Sequence, residues 1–344
     1  MMNMEEEKKL YPVHLCTILD DHAWGSEEFK LADLGYRDSL LRDGWLAGNS
    51  ISEVMDTYLD RVVGERVYEY FGRQFPFQVK YISCRKESPL QVHPGDTTAA
   101  QRYDFLGKEK LWVVLKAGKG ATAFLGFRKA TNAADFLAKC EDGSVEELLN
   151  GIALYPGQCL LVPSGTVNCL KGEVLVAEVS ESSPMDFCLT SWGQELGEEE
   201  FDPEFNLVEA LDFIDYGPYR AVSVNSGKPD GTVEHLANLP QFTVNRLSLK
   251  DPICIDTEKF NSCLVYNCLG GEASLQTEVL GQKTNTVLKE GETVLVPAEV
   301  PQFSIVPLKE KTVLLEIYSE AREETDSYIN PDAAPSLPED DDNQ

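Results

Sequence analysis

Short apolar runs interrupted by polar residues at close, regular steps fill most of the chain. Phe75–Cys84 (FPFQVKYISC), Leu111–Ala117, Thr122–Phe127, Gln158–Ser164, Glu173–Ser180 and Asp186–Trp192 are β-branched or aromatic and bounded by Gly, Pro or Asp, the pattern of β-strands. A second group follows a break around Asp215–Pro218: Phe242–Leu249, Cys263–Gly271, Glu272–Leu280, Thr293–Val300, Phe303–Leu308 and Thr312–Tyr318. Apolar residues three and four apart predict helix over Ser52–Tyr70, Ala134–Leu149 and Asn206–Ile214. Many short strands with turns between them point to an all-β chain of sandwiches or small barrels, and not to alternating βαβ units.

One repeat divides the chain. Gly157-Gln-Cys-Leu-Leu-Val-Pro163 matches Gly291-Glu-Thr-Val-Leu-Val-Pro297 in order and spacing, which reads as two copies of one β-domain. The organisation that follows is a lead-in with helix over 1–75, packed on the first barrel. A first barrel covers 76–215 with a helical insert near 134–149, and a second barrel covers 216–318. An acidic, disordered tail over 319–344 completes the chain.

Length and composition fit this plan. The 344 residues suit two domains, and 42% hydrophobic residues provide for both cores. Fifty-eight acids against thirty bases leave a net charge of −28, which disfavours nucleic acid and anionic membranes as partners. No apolar run is long enough to span a bilayer, and the start MMNMEEEKK lacks the apolar stretch of a signal peptide. Nine cysteines without CxxC spacing read as reduced thiols of a cytoplasmic protein. With only four histidines, nitrogen donors for a metal are scarce.

The first copy extends to Gly157, five residues, Pro163-Ser164-Gly165, two residues and Asn168, and Gln91-Val92-His93-Pro94 lies upstream. These resemble the second and first signatures of the cupin superfamily. SPLQVHPGD, GKEKLW (Gly107–Trp112), VPSGTVN and Ala23-Trp24-Gly25 fall in the order found in type I mannose-6-phosphate isomerases. The resemblance runs from about residue 10 to residue 318 and implies two cupin-type barrels, a bicupin. It implies an aldose–ketose isomerase that interconverts mannose 6-phosphate and fructose 6-phosphate through an enediol, with zinc stabilising the developing charge. A small phosphorylated sugar is then the partner.

Carried over position by position, the resemblance assigns Gln91, His93, Glu109 and Asn168 to the metal. Glu109 stands one residue before the family's carboxylate position, which Lys110 occupies. Lys108 and Glu178 match the family's catalytic lysine and acid; Cys188 stands where the family has arginine. Lys110, Asn168 and Cys188 are thus the degenerate positions. An amide is a poor zinc donor, and a one-residue shift in a strand turns Glu109 to the other face unless a bulge re-aims it. The expected zinc site is weak or lost. Two functions compete: an isomerase of low or no activity, and a non-catalytic sugar-phosphate-binding or regulatory bicupin. Read without the resemblance, Lys108 and Lys110 also fit an exposed strand edge, Glu178 either a solvent face or a pocket, and Cys169 and Cys188 small buried hydrophobes. His14, His22 and His235 read as structural, and the second copy, with Gln302 at the place of Asn168, as a domain without a site.

Overall fold

The computed structural model describes residues 8–194, 203–220, 223–224, 233–279 and 282–320. The charged start over 1–7 and the acidic stretch 321–344 lie outside the described residues. Each apolar run named above contains a strand, and the chain is mostly β.

The strands form two pairs of sheets. A larger sheet runs in the order Ser223–Val224, Cys159–Val162, Lys110–Ala117, Val174–Glu181, Phe77–Cys84, Gly25–Leu31 and Ile18–His22. A smaller one runs Phe187–Thr190, Leu90–Val92, Asn168–Lys171, Thr122–Phe127 and Leu149–Ala153. The second pair begins with the order Val13–His14, Thr293–Val296, Leu264–Gly270, Thr312–Tyr318, Thr243–Leu249 and Val233–Asn238. Its smaller sheet runs Ile253–Asp256, Gln302–Pro307, Glu272–Val279 and Gln282–Lys289. Neighbouring strands are antiparallel.

The central strands of the two pairs follow the same order. Cys159–Val162 borders Lys110–Ala117 as Thr293–Val296 borders Leu264–Gly270. Gly157 and Gly291 both take positive φ, 86° and 81°. Each donates its N–H to the neighbouring strand, Gly157 to Val114 at 2.7 Å and Gly291 to Cys268 at 2.8 Å. Gln302 opens its strand as Asn168 opens the matching one.

Alternation along the strands sorts the side chains into layers. Phe77, Val79, Tyr81, Leu111, Val113, Ala177 and Val179 join a core shared with Val244, Val265, Leu295, Leu315 and Ile317 of the second unit. The intervening Ile82, Trp112, Val114, Val174 and Val176 pack instead against Ala123, Leu125 and Leu170 of the smaller sheet. The central strands of the larger sheet are therefore buried on both faces, and a polar residue in their inward row enters the interior. Phe136 of the helix Ala133–Glu141 covers the far face of the smaller sheet.

Local departures have local causes. The predicted helix over Ser52–Tyr70 is three short helices, Ile51–Tyr58, Asp60–Val63 and Glu65–Phe71, with Leu59 at φ 51° and Gly64 at φ 94° between them. A Cβ on Gly64 would come within 2.5 Å of the Asn261 carbonyl, so the break lets this segment meet the second unit. There Val63 accepts from Cys263 and Val62 from Ala298. The segment over Ala134–Leu149 ends early as a helix, since Leu149 already belongs to a strand. The lead-in itself adds strands to both units: Gly25–Leu31 pairs with Phe77–Cys84, while Val13 faces Leu295.

Candidate functional site

The interior of the first unit receives an unusual load of charge. Lys80, Glu178 and Trp112 stand side by side on three paired strands, and Lys110 faces Ser180 one step along. On the smaller sheet Asn168 and Cys188 flank Gln91 from either side. Lys108 and Lys110 are 2% and 1% exposed, which corrects the reading of an exposed edge. Glu178, at 1%, belongs to the interior and not to a solvent face.

The charges pair almost completely. Lys80 reaches Glu27 at 2.7 Å and Glu178 at 3.6 Å. Asp186 spans the other two lysines: one carboxylate oxygen accepts from Lys108 and the other from Lys110 at 2.9 Å. Burial alone would raise the Asp186 carboxyl, but Lys108 and Lys110 hold it well below the ordinary carboxylate range. Burial pushes Lys108 down to about 8 despite Asp186. Glu178 likewise lies below its ordinary range, because Lys80 and Lys110 outweigh its burial. Its Oε2 accepts from the Trp112 indole at 2.7 Å and its Oε1 from Ser180 at 3.3 Å.

His93 is fully buried, and burial together with Lys110 keeps it neutral, far below the usual histidine range. Both its ring nitrogens are without a partner among the described residues. Asn168 spends its amide N–H groups on the Gln91 and Thr166 carbonyls, at 3.1 and 2.9 Å. Glu109 lies just before the strand Lys110–Ala117. Its carboxylate accepts from the Ser164 backbone at 3.1 Å and hydroxyl at 2.8 Å. The remaining histidines lie in other contacts: His14 contacts Asp43 and the Val287 carbonyl, His22 stacks on Trp24, and His235 pairs with Asn245.

These residues do not fit a divalent metal. Gln91 and Asn168 offer amide oxygens, Glu109 is committed to Ser164, and the Lys110 ammonium enters where the family's carboxylate would. Among the described residues no group of three or more His, Cys, Asp or Glu is disposed around a metal position.

Trp24, Lys80, Gln91, Lys110, Asn168 and Glu178 line an interior space of ≈ 20 Å³, room for about one water. Sites for small molecules are roughly 300–1,000 Å³, so side chains must move before a sugar enters.

Sequence reasoning found Lys108, Lys110 and Glu178 but passed over Lys80, Asp186, Glu27 and Trp112. Lys80 carried the same signal as Glu178, a charge in the middle of an apolar strand. Asp186 carried none, since it sits in the turn before Phe187–Thr190.

Fold and interior together define a mostly antiparallel β-protein with a small polar space between the sheet of Lys110–Ala117 and the sheet of Leu90–Val92. No family model matches the chain. Mannose-6-phosphate isomerase ManA of Bacillus subtilis (strain 168) is 22% identical over 315 residues, 86% of this chain and 95% of that protein. The probable mannose-6-phosphate isomerase GmuF of the same organism is 28% identical over 170 residues, 49% of this chain and 48% of that protein. The solved mannose 6-phosphate isomerase from Bacillus subtilis superposes with a TM-score of 0.76 at 19% identity, covering 90% of this chain and 100% of that one. A putative mannosephosphate isomerase from Archaeoglobus fulgidus gives 0.70 at 19% identity, covering 91% and 99%. The chain is thus similar in sequence to proteins named mannose-6-phosphate isomerases and in fold to solved ones, consistent with the resemblance carried by QVHP and GKEKLW.

Proposed function

We propose that this chain is a bicupin of the mannose-6-phosphate isomerase family that keeps a pocket for a small phosphorylated sugar without the donors for metal-assisted isomerisation. Conversion of mannose 6-phosphate to fructose 6-phosphate is then weak or absent, and binding is the retained property. One observation carries the reading: Lys110 lies inside the pocket and is neutralised by Asp186, in the place of a carboxylate that would hold a metal. Glu178, bonded to Trp112 and held below its ordinary range, is a fixed anion and a poor proton acceptor.

We infer a cytoplasmic location from the nine cysteines, which lack CxxC spacing. Among the described residues no helix is long and apolar enough to cross a membrane.

Protein purified without chelator should carry far less than one zinc per chain by elemental analysis. Its kcat/KM on mannose 6-phosphate should fall below about 10⁴ per molar per second, the lower end of ordinary enzymes. A tightly held stoichiometric zinc with ordinary isomerase rates would overturn the reading.

A further inference from the structure

The buried lysines are arranged for an oxyanion, and the chain supplies one itself. Lys108 and Lys110 each touch a different oxygen of Asp186, as two donors would grip a carboxylate or phosphate. Among the described residues Asp186 is their only carboxylate partner, because Glu27 and Glu178 face Lys80.

The three groups are not equally accessible. The Asp186 side chain is 21% exposed while each lysine is 2% exposed. An anion arriving from solvent meets Asp186 first and reaches the lysines only by taking its place. Asp186 stands on the short connection from Val174–Glu181 to Phe187–Thr190, which Pro184 and the Ser183 bond to the Leu106 carbonyl, 2.7 Å, hold in place. Rotation of one side chain opens the seat without breaking a strand.

A third donor position is ready nearby. His93 is fully buried with both ring nitrogens unpartnered among the described residues; it follows Val92, which faces Phe187 across paired strands, and precedes Pro94, whose carbonyl accepts from the Lys108 N–H at 3.1 Å. Leaving such a buried group without a bond is unfavourable. A carboxylate offers two oxygens and satisfies the lysines alone; a phosphate monoester has a third, which can accept from His93.

We propose that Lys108, Lys110 and His93 form an oxyanion site that Asp186 closes from within, and that the phosphate of a small ligand enters by displacing the Asp186 carboxylate. This rests on the metal-free reading above, because a dication at His93 would leave no role for a second cation at Lys110. Asp186 is thus an internal competitor, and it sets the ligand concentration at which the pocket opens.

The test is Asp186→Asn, which keeps the shape and removes the competing charge. Titration calorimetry with inorganic phosphate, at matched ionic strength, should show affinity at least about tenfold higher than wild type, a difference of 1.4 kcal/mol. Phosphate at a hundred times Kd should raise the variant's Tm by about 3 °C or more, and adding Lys110→Met should abolish the response. If Asp186→Asn folds poorly in chloride, its refolding yield in phosphate against chloride reads the same quantity. An Asp186→Asn protein that binds phosphate no better than wild type, or a response that survives Lys110→Met, overturns the proposal. Acetate, mannose 6-phosphate and uncharged mannose separate the sources. Mannose 6-phosphate above inorganic phosphate identifies a sugar phosphate, equal responses identify the oxyanion alone, and mannose binding as well as either rejects the site. Zinc content and isomerase rate measured on the same wild-type samples report on the metal-free reading separately. A metal-free, inactive protein without a phosphate response overturns this inference alone.

Discussion

The Trp112 indole donates to the Glu178 carboxylate across paired strands at 2.7 Å, and the second unit repeats the contact. There Tyr266 donates to Glu316 at 2.7 Å, and Asn245, standing where Lys80 stands, donates to the other oxygen at 3.0 Å. A carboxylate pinned by an aromatic donor thus occurs in both copies, including the one read as having no site. The pair belongs to the scaffold. Trp112→Phe and Tyr266→Phe should each lower stability by about 1–3 kcal/mol, because each leaves a buried carboxylate oxygen short of a donor. Urea denaturation of the two variants should give losses of similar size; a neutral Tyr266→Phe would break the equivalence.

Glu181 is fully buried, and its burial together with the nearby Asp96 pushes its carboxyl well above the ordinary glutamate range. The folded chain therefore keeps a proton that the unfolded chain releases above about pH 4.5. By linkage, that group's contribution to stability falls as pH rises from there toward its folded pKa. Glu181→Gln mimics the protonated acid and keeps an oxygen for the Glu109 N–H, which donates to Glu181 at 2.8 Å. The variant should be as stable as wild type near pH 4 and more stable at pH 8. Denaturation midpoints across that range check this, and parallel curves would reject it.

Metal binding should need several changes at once. Lys110→Glu, Asn168→His and Cys188→Arg together should give measurable zinc binding and some turnover of mannose 6-phosphate, since catalytic zinc sites use three good protein ligands acting as a unit. Lys110→Glu alone should bind little zinc and lose stability, because it puts a second carboxylate beside Asp186 with Lys108 as the remaining partner. Elemental analysis of the single and triple variants decides. Zinc bound by the triple variant without turnover would indicate a pocket shaped for a different ligand.

Replacing Phe136, fully buried between Phe127 and Tyr216 on the far face of the smaller sheet, tests the wall of the pocket. Phe136→Ala should cost about 3–5 kcal/mol in thermal or urea unfolding. A loss under about 1 kcal/mol would show that the helix Ala133–Glu141 contributes little to holding that sheet.

Much of the fold was legible because period-two burial leaves a mark in composition. Val79, Val113 and Val179 alternate with Lys80, Trp112 and Glu178, and both sets are buried. Strands such as Gly25–Leu31 and Gln282–Lys289 were missed because GSEEFKL and QKTNTVLK carry too much polar material. The place of the pocket was legible from QVHP and GKEKLW. Its charge pairing was not, because Lys80 meets Glu178 only through strand register and Asp186 meets Lys110 only through a turn. A linear sequence holds the alternation along one strand but not the neighbour across the gap.

The pairing of Val13 with Leu295 sets a schedule for synthesis. The strand Val13–His14 leaves the ribosome before its partner Thr293–Val296, which emerges about 280 residues later, roughly 15–60 s at ordinary elongation rates. Through that interval Val13 and Leu15 are apolar groups without the sheet edge that will cover them, and the helices around Val62 lack Cys263 and Ala298. The first unit can close around its own lysines and carboxylates, but the shared layer beneath it stays open until the last strands arrive. A nascent chain stalled before Thr293 should thus draw chaperones to its beginning, although that beginning was made first.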